Sequence, residues 1–122
     1  MFNRLLEGRK SEEKACAYLA SKGLCLIEKN YRSKTGEIDL IMKDDNCYVF
    51  VEVRSKKSQR FGGALLSVNY PKQQKIIKTA VFYLVKKKLY QRCPMRFDVV
   101  AFEGPQSELK WVKNAFSDSL FV

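Results

Sequence analysis

The chain has 122 residues, of which 46% are apolar, and its formal net charge is +10, from 23 Lys and Arg against 13 Asp and Glu. This length and composition predict a single compact domain over residues 1–122 with an apolar core. The sequence contains no histidine, which excludes Ser-His-Asp and Cys-His catalysis. Any hydrolytic chemistry must therefore rest on carboxylates, lysines and a metal ion.

The cysteines and the apolar runs exclude further classes. The four cysteines are far apart and include no C-x-x-C pair, so we expect reduced packing residues and not a zinc or redox site. They are Cys16, Cys25, Cys47 and Cys93. No apolar run is as long as a membrane span, and residues 1–14 lack the apolar core of a signal peptide. We therefore expect a cytoplasmic protein with no membrane partner.

The first predicted element is a helix that starts near residue 2 or residue 9 and ends at Ser21, with Gly23 as its stop signal. Glu12 lies three and four residues before Ala15 and Cys16, which belong to the predicted inward-facing stripe of this helix. Glu12 therefore lies on the same helix face. A carboxylate there either belongs to a site or lies near the helix start because the helix dipole favours it. The predicted inward stripe is Ala15, Cys16, Tyr18 and Leu19.

A short strand over residues 24–27 and a polar connection over residues 28–35 follow the helix. The connection contains the run Asn30-Tyr31-Arg32. Arg32 either contacts phosphate or braces the next element, and the sequence leaves both roles open.

Residues 36–54, GEIDLIMKDDNCYVFVEVR, predict a β-hairpin because two runs rich in Ile, Leu, Val, Phe and Tyr flank a cluster of turn-forming residues. With Asp45 and Asn46 as the loop, residues whose numbers sum to 91 face each other, and Asp39 lies opposite Glu52. Side-chain alternation then separates an apolar face from a face that carries the two carboxylates. The predicted apolar face is Ile38, Leu40 and Met42 against Val53, Val51 and Val49.

Directly opposed carboxylates on one strand pair destabilise each other unless a cation lies between them. A divalent ion meets that need, and magnesium commonly takes one or two protein carboxylates and completes its shell with water and phosphate. The sequence therefore makes Asp39 and Glu52 a candidate metal pair. The alternative is that Asp39 lies at a solvated edge while Glu52 pairs with Arg54 or a lysine.

The stretch from residue 54 to residue 97 has twelve Lys or Arg residues and no Asp or Glu. Such a continuous basic stretch is typical of proteins that bind a polyanion, although a merely solvated basic surface has the same composition. Residues 55–69 predict a basic loop in which Phe61 either stacks on a base or packs on its own domain.

A second helix is predicted from Pro71 to about residue 89, and Lys72 in its first turn would suit a phosphate at the helix N-terminus. Strands over residues 96–102 and 110–116, joined by a turn over residues 104–107, complete the chain. We expect Asp98 to pair structurally with Arg96 or a lysine, and not to join the site. The order of elements predicts an α/β sandwich with a mixed sheet. The predicted inward residues of the second helix are Ile76, Ile77, Ala80, Val81 and Leu84.

Four motifs carry a resemblance to a known family. The runs GEIDLI, VFVEVRSKK, RFDVV and NAF follow one another in the order found in the YraN family of small bacterial proteins, and the match extends from Gly8 to Phe116. That family resembles the PD-(D/E)XK nuclease superfamily, in particular the archaeal Holliday-junction resolvases. The resemblance implies a restriction-endonuclease-like α/β sandwich, a central mixed sheet flanked by helices.

The resemblance also implies a function, namely a magnesium-dependent endonuclease that hydrolyses phosphodiester bonds in DNA, including branched or junction DNA, with Mn²⁺ as a substitute ion. Asp39 and Glu52 would hold the metal with help from the Val53 carbonyl, while Glu12 and Lys72 match further site positions of the family. Junction resolution would require a homodimer. A non-catalytic nucleic-acid-binding or assembly protein with a degenerate site is the alternative. The expected nucleic-acid contacts are Arg32, Lys56, Lys57, Arg60, Lys72 and Lys75.

The sequence departs from the family where the E-x-K signature has a lysine two residues after the metal-binding glutamate, because Arg54 stands there. Arginine keeps the positive charge but stays protonated, so it stabilises charge without exchanging a proton. Three alternatives follow. Arg54 replaces the charge of the lysine and the rate is reduced, or Lys56 on the same face takes over the role of the lysine. In the third alternative Arg54 pairs with Glu37 and catalysis is impaired. We favour electrostatic substitution, because in metal-assisted hydrolysis the ion supplies most of the activation.

Overall fold

The computed structural model of the protein describes residues 2–56 and 63–117. Its five strands form one sheet in the order β1-β2-β3-β4-β5, in which β3 and β4 are parallel and the other neighbours are antiparallel. The α/β architecture and the mixed sheet are as predicted, and they are consistent with a restriction-endonuclease-like sandwich. The elements are α1 (Phe2–Ser21), β1 (Cys25–Ser33), β2 (Gly36–Asp44), β3 (Cys47–Lys56), α2 (Gly63–Leu66), α3 (Tyr70–Lys86), β4 (Met95–Glu103) and β5 (Glu108–Phe116).

Alternation along the strands produces two apolar clusters, one on each side of the sheet. Ile41 and Phe50 belong to the cluster that packs on α3, whereas Leu40 and Val51 belong to the cluster that packs on α1. Both predicted helical stripes are confirmed, since Ala15 and Leu19 of α1 and Ile76, Ile77, Ala80 and Leu84 of α3 are buried. The sheet is therefore covered by one long helix on each face.

The prediction for Ile38 was wrong. This residue packs in the α3-side cluster with Ile41, and not on the face of Leu40 and Met42. The pairing between β1 and β2 passes from Lys29↔Leu40 to Tyr31↔Ile38 and omits Asn30 and Asp39, and Asn30 has a φ of +51°. The pairing of the two strands is therefore interrupted at this level, and the alternation of faces along β2 changes at Asp39.

The bounds of β1 and α3 and the segment that precedes α3 also differ from the predictions. β1 extends from Cys25 to Ser33 because its backbone pairs with β2 through the polar residues that the sequence assigned to a connection. α3 ends at Lys86 because Lys88 has a φ of +61° and Leu89 N–H donates to Leu84 O at 2.8 Å. Gly63–Leu66 forms one helical turn inside the predicted loop. Within the described residues, no helix combines the length and apolarity that crossing a bilayer requires.

Candidate active site

The hairpin of β2 and β3 has the predicted register. In every pair from Asp44↔Cys47 to Leu40↔Val51, the two residue numbers sum to 91. The ladder ends there, one pair before Asp39 and Glu52, and Asp39 Oδ2 instead accepts a hydrogen bond from Val53 N–H at 2.9 Å. The two predicted carboxylates therefore lie side by side where the strands separate, and their side chains share a hydrogen bond.

An open pocket of about 320 Å³ lies where these strands separate, between the N-terminal halves of α1 and α3. It collects every residue predicted to be catalytic, and also Lys75, which was predicted to bind nucleic acid. The β2–β3 hairpin contributes the carboxylates, α1 contributes Glu12, and α3 contributes Lys72 and Lys75. The lining residues are Gly8, Ser11, Glu12, Gly36, Glu37, Asp39, Glu52, Val53, Arg54, Ser55, Lys72, Lys75 and Ile76.

Burial controls the protonation of the carboxylate pair. Glu52 is only 7% exposed, and burial together with the charge of Asp39 raises its pKa from 4.5 to about 8. Burial also raises the pKa of Asp39, which the Val53 N–H partly offsets. One proton therefore remains on the pair at neutral pH in the metal-free protein, since two adjacent carboxylates, one buried and one half-buried, do not both ionise without a cation.

Arg54 is the cation next to this pair. Its Nε lies 3.3 Å from Glu52 Oε2, whereas Glu37 pairs with Arg32 Nε at 3.6 Å, so the predicted alternative of an Arg54–Glu37 pair is wrong. The short distance does not make a hydrogen bond, because Arg54 Nε is buried without an aligned acceptor. The Arg54 side chain as a whole is 24% exposed and lines the pocket, so its guanidinium lies where an oxygen of a bound ligand would enter.

Glu12 is held by a residue that the sequence analysis did not assign to the site. Asn30 Nδ2 donates to Glu12 Oε1 at 3.0 Å and to Glu37 Oε1 at 3.4 Å, so it joins α1 to β2. Burial raises the pKa of Glu12, and the nearby charge of Asp39 adds to that effect. The available signal was the residue type, because asparagine tolerates the left-handed conformation that it adopts here.

The predicted nucleic-acid contacts divide into two groups. Lys72 and Lys75 line the pocket, and Lys56 lines the adjoining depression beside Arg54. Arg32 is exposed on the far side of Glu37, next to the turn between β1 and β2. Lys57, Arg60 and the loop residue Phe61 lie outside the described residues, so their predicted contacts stay predictions.

Asp98 has the structural role that the sequence favoured. It is fully buried and accepts hydrogen bonds from Arg96 Nε at 3.1 Å, from Trp111 Nε1 at 2.9 Å and from Asn114 N–H at 2.9 Å. Arg96 extends this network to Asp44 at 2.9 Å. Asp98 ties β4 to β5 and does not line the pocket.

The donor set of the pocket suits a magnesium ion. Asp39 and Glu52 supply carboxylate oxygens, and both groups could ionise together only with a further cation beside them, because Glu52 is buried and Asp39 is half-buried. In the part of the chain that the structure describes, no group of three or more His, Cys, Asp or Glu side chains is arranged to hold a metal. Two carboxylates meet the usual magnesium requirement, and Glu12 as a third ligand stays a prediction.

The fold and the site define an α/β protein with a mixed five-stranded sheet and a paired-carboxylate pocket at the end of its hairpin. The family model described as "Uncharacterised protein family UPF0102" matches residues 11–102. A similar chain is a UPF0102 protein of Legionella pneumophila, which is 44% identical over 110 residues that cover 90% of this chain and 93% of the relative. A UPF0102 protein of Nitrosomonas europaea is 46% identical over 114 residues, which cover 93% of this chain and 95% of the relative.

A UPF0102 protein of Colwellia psychrerythraea is 46% identical over 113 residues, which cover 90% of this chain and 88% of the relative. The chain belongs to the UPF0102 family, which is the YraN family that its four motifs resemble. The predicted family is thereby confirmed.

Proposed function

We propose that the protein is a magnesium-dependent endonuclease that hydrolyses phosphodiester bonds in DNA, with branched or junction DNA as the substrate class. The observation that carries the proposal is the carboxylate pair of the buried Glu52 and the half-buried Asp39, in an open pocket rimmed by cations of β3 and α3. A pocket that places negative charge at its floor and positive charge at its rim is suited to a metal ion below and a phosphate above.

Each residue has a role that follows from its position. Asp39 and Glu52 would hold the ion, with the Val53 carbonyl as a further oxygen, and Val53 N–H fixes the orientation of Asp39. The ion would supply polarisation of the phosphate and a lowered pKa of the attacking water. Arg54 lines the same pocket, where its guanidinium would stabilise developing charge on phosphate oxygens.

Lys72 and Lys75 stand on the first two turns of α3, and both line the pocket from the side opposite α1. Asn69 caps this helix by accepting the Lys72 N–H at 3.0 Å, which fixes the direction in which the first turn projects. These lysines would bind the phosphate chain on either side of the cleaved bond, since an ammonium group binds phosphate as a point charge. Symmetric cleavage of a junction would need a homodimer with two such pockets.

One observation favours a second candidate, a nucleic-acid-binding or assembly protein with a degenerate site. Arg54 Nε lies 3.3 Å from Glu52 Oε2, so part of the negative charge that would attract a metal is already compensated. This candidate predicts salt-sensitive DNA binding that requires no metal and survives loss of Asp39. It predicts no Mn²⁺ binding at the pocket.

Calorimetric titration with Mn²⁺ followed by cleavage of branched, flapped and single-stranded DNA separates the candidates. The proposed nuclease binds Mn²⁺ and cleaves, and Asp39→Asn and Glu52→Gln each lose both properties while keeping the wild-type circular dichroism spectrum. Asp45→Asn, at an exposed turn of the same hairpin, should keep both. A wild-type protein that neither binds Mn²⁺ nor cleaves any of these substrates would refute the nuclease. A protein shown by light scattering to be strictly monomeric on DNA would refute junction resolution.

A further inference from the structure

One face of α3 carries a regular row of side chains that starts in the pocket. The members of this row follow one another at spacings of three and four residues, which places them on one stripe of the helix. They are Lys72, Lys75, Thr79, Phe82 and Lys86. At 1.5 Å per residue the row from Lys72 to Lys86 is about 21 Å long. The stripe therefore connects the carboxylate pocket to a surface well outside it.

The turn between β1 and β2 crosses the middle of this stripe. Thr35 Oγ1 lies 2.8 Å from Thr79 Oγ1, and a Cβ on Gly36 would lie 3.2 Å from the same atom of Thr79. Gly36 has a φ of +148°, so glycine permits both the conformation and the close approach. Gly36 lines the carboxylate pocket while Thr35 lines a second groove, so the two depressions lie on opposite sides of one turn.

The second groove combines cations with an exposed aromatic ring. It has a volume of about 430 Å³, and the described residues that line it include Arg32, Lys34 and Lys86 but no Asp or Glu. Phe82 is 47% exposed in this groove, and Lys86 Nζ lies 5.9 Å from the centre of its ring. An exposed aromatic ring between cations suits a partner that has both an aromatic face and negative charge.

We propose that this groove, the Phe82 groove, binds an unpaired strand of the nucleic acid that occupies the carboxylate pocket, with one base stacked on Phe82 and its phosphates on Lys86, Lys34 and Arg32. The inference rests on the proposed function and specifies its substrate as nucleic acid with a single-stranded arm beside the cleaved bond. A base inside a duplex is stacked on both faces by its neighbours, so the ring favours an unpaired strand over a duplex.

The test measures binding, not cleavage. A fluorescent oligothymidine of about 15 nucleotides is titrated by anisotropy in a chelating buffer, against a blunt duplex of similar charge. Phe82→Ala should weaken binding of the single strand about tenfold without changing its salt dependence, and should leave duplex binding unchanged. Lys86→Gln should reduce the slope of log affinity against log salt by about 0.7, the value for one lost phosphate contact on a single strand.

Two control variants match these changes. Val85→Ala removes an equally exposed apolar side chain of α3 that does not line the groove, and Lys113→Gln removes a lysine on β5, at the opposite edge of the sheet. Both should bind the single strand as the parent does. Equal binding by Phe82→Ala and the parent, or an equal loss on duplex, would overturn the proposal, as would a Lys113→Gln effect as large as that of Lys86→Gln.

Failure of this proposal is distinguishable from failure of the nuclease. Asp39→Asn should keep the Phe82-dependent binding of the single strand, because Asp39 does not line the groove. Strand binding that depends on Phe82 in a protein that never cleaves would support the groove and refute the nuclease. Cleavage with binding that is indifferent to Phe82 would support the nuclease and refute the groove.

Discussion

Replacing Glu52 with Gln should stabilise the metal-free protein at alkaline pH. Glu52 is 7% exposed and contacts Asp39, and burial followed by the charge of Asp39 raises its pKa from 4.5 to about 8. In the unfolded chain Glu52 releases its proton near pH 4.5, whereas the folded protein retains it until about pH 8. The free energy of unfolding therefore falls as pH rises through this interval, and the loss is complete above pH 8.

The size of the effect follows from the same shift. At 1.36 kcal/mol per pH unit, a rise from 4.5 to about 8 corresponds to about 5 kcal/mol at most. Water entry and side-chain relaxation reduce the penalty of a buried ion, so we expect a measured difference of about 2–5 kcal/mol. Glutamine has the shape of a protonated glutamate and keeps a donor for Asp39, but it has no charge to lose.

The assay is urea unfolding with a chelator present, followed by the fluorescence of Trp111, the single tryptophan. Glu52→Gln and the parent should unfold at the same urea concentration at pH 4 and should diverge towards pH 9, with the variant more stable. Glu13→Gln, an exposed carboxylate of α1, should follow the parent at every pH. A constant difference between Glu52→Gln and the parent across this range would refute the reasoning.

Two further changes test Arg54 and the Asp98 network. Arg54→Lys should preserve or raise cleavage under single-turnover conditions, and Arg54→Ala should lower it about 10²-fold, the loss typical of one charge donor; a fast Arg54→Ala with an inactive Lys56→Ala would assign the role to Lys56. Asp98→Ala should lower the free energy of urea unfolding by about 3–5 kcal/mol, because it leaves the charge of Arg96 without its buried partner. The control Glu13→Ala, at an exposed position of α1, should change it by under about 0.5 kcal/mol, and an equally small change for Asp98→Ala would contradict the assigned role.

Much of the site was predictable because it lies in a hairpin. The turn formers at Asp45 and Asn46 fix the loop, and Asp45 has the left-handed φ of +53° that such turns require. Once the loop is fixed, the register and the alternation follow for the residues up to Leu40↔Val51, which brings Asp39 close to Glu52. The inward stripes of α1 and α3 were predictable for the same reason, since each depends on a local period.

Other features depended on contacts between distant segments. No local rule places Asn30 between Glu12 and Glu37, because the three residues meet only when α1, β1 and β2 pack together. The change of face at Ile38 occurs where the pairing of β1 with β2 omits Asn30 and Asp39, and the hairpin pattern does not contain it. The extension of β1 through polar residues likewise reflects its partner strand, since backbone pairing does not require apolar side chains.

The sequence by itself determined the hairpin register, the helical stripes and the basic character of residues 54–97, since each follows from short-range geometry or from composition. Only the tertiary structure decided that Arg54 faces Glu52 and not Glu37, because the ladder ends at Leu40↔Val51 and the side chains beyond it follow the packing of α1 and α3. The Phe82 groove belongs to the same group, because it exists only where the β1–β2 turn rests on Thr79 of α3. Contacts between segments that are far apart in the chain are set by packing, and local propensity carries no information about them.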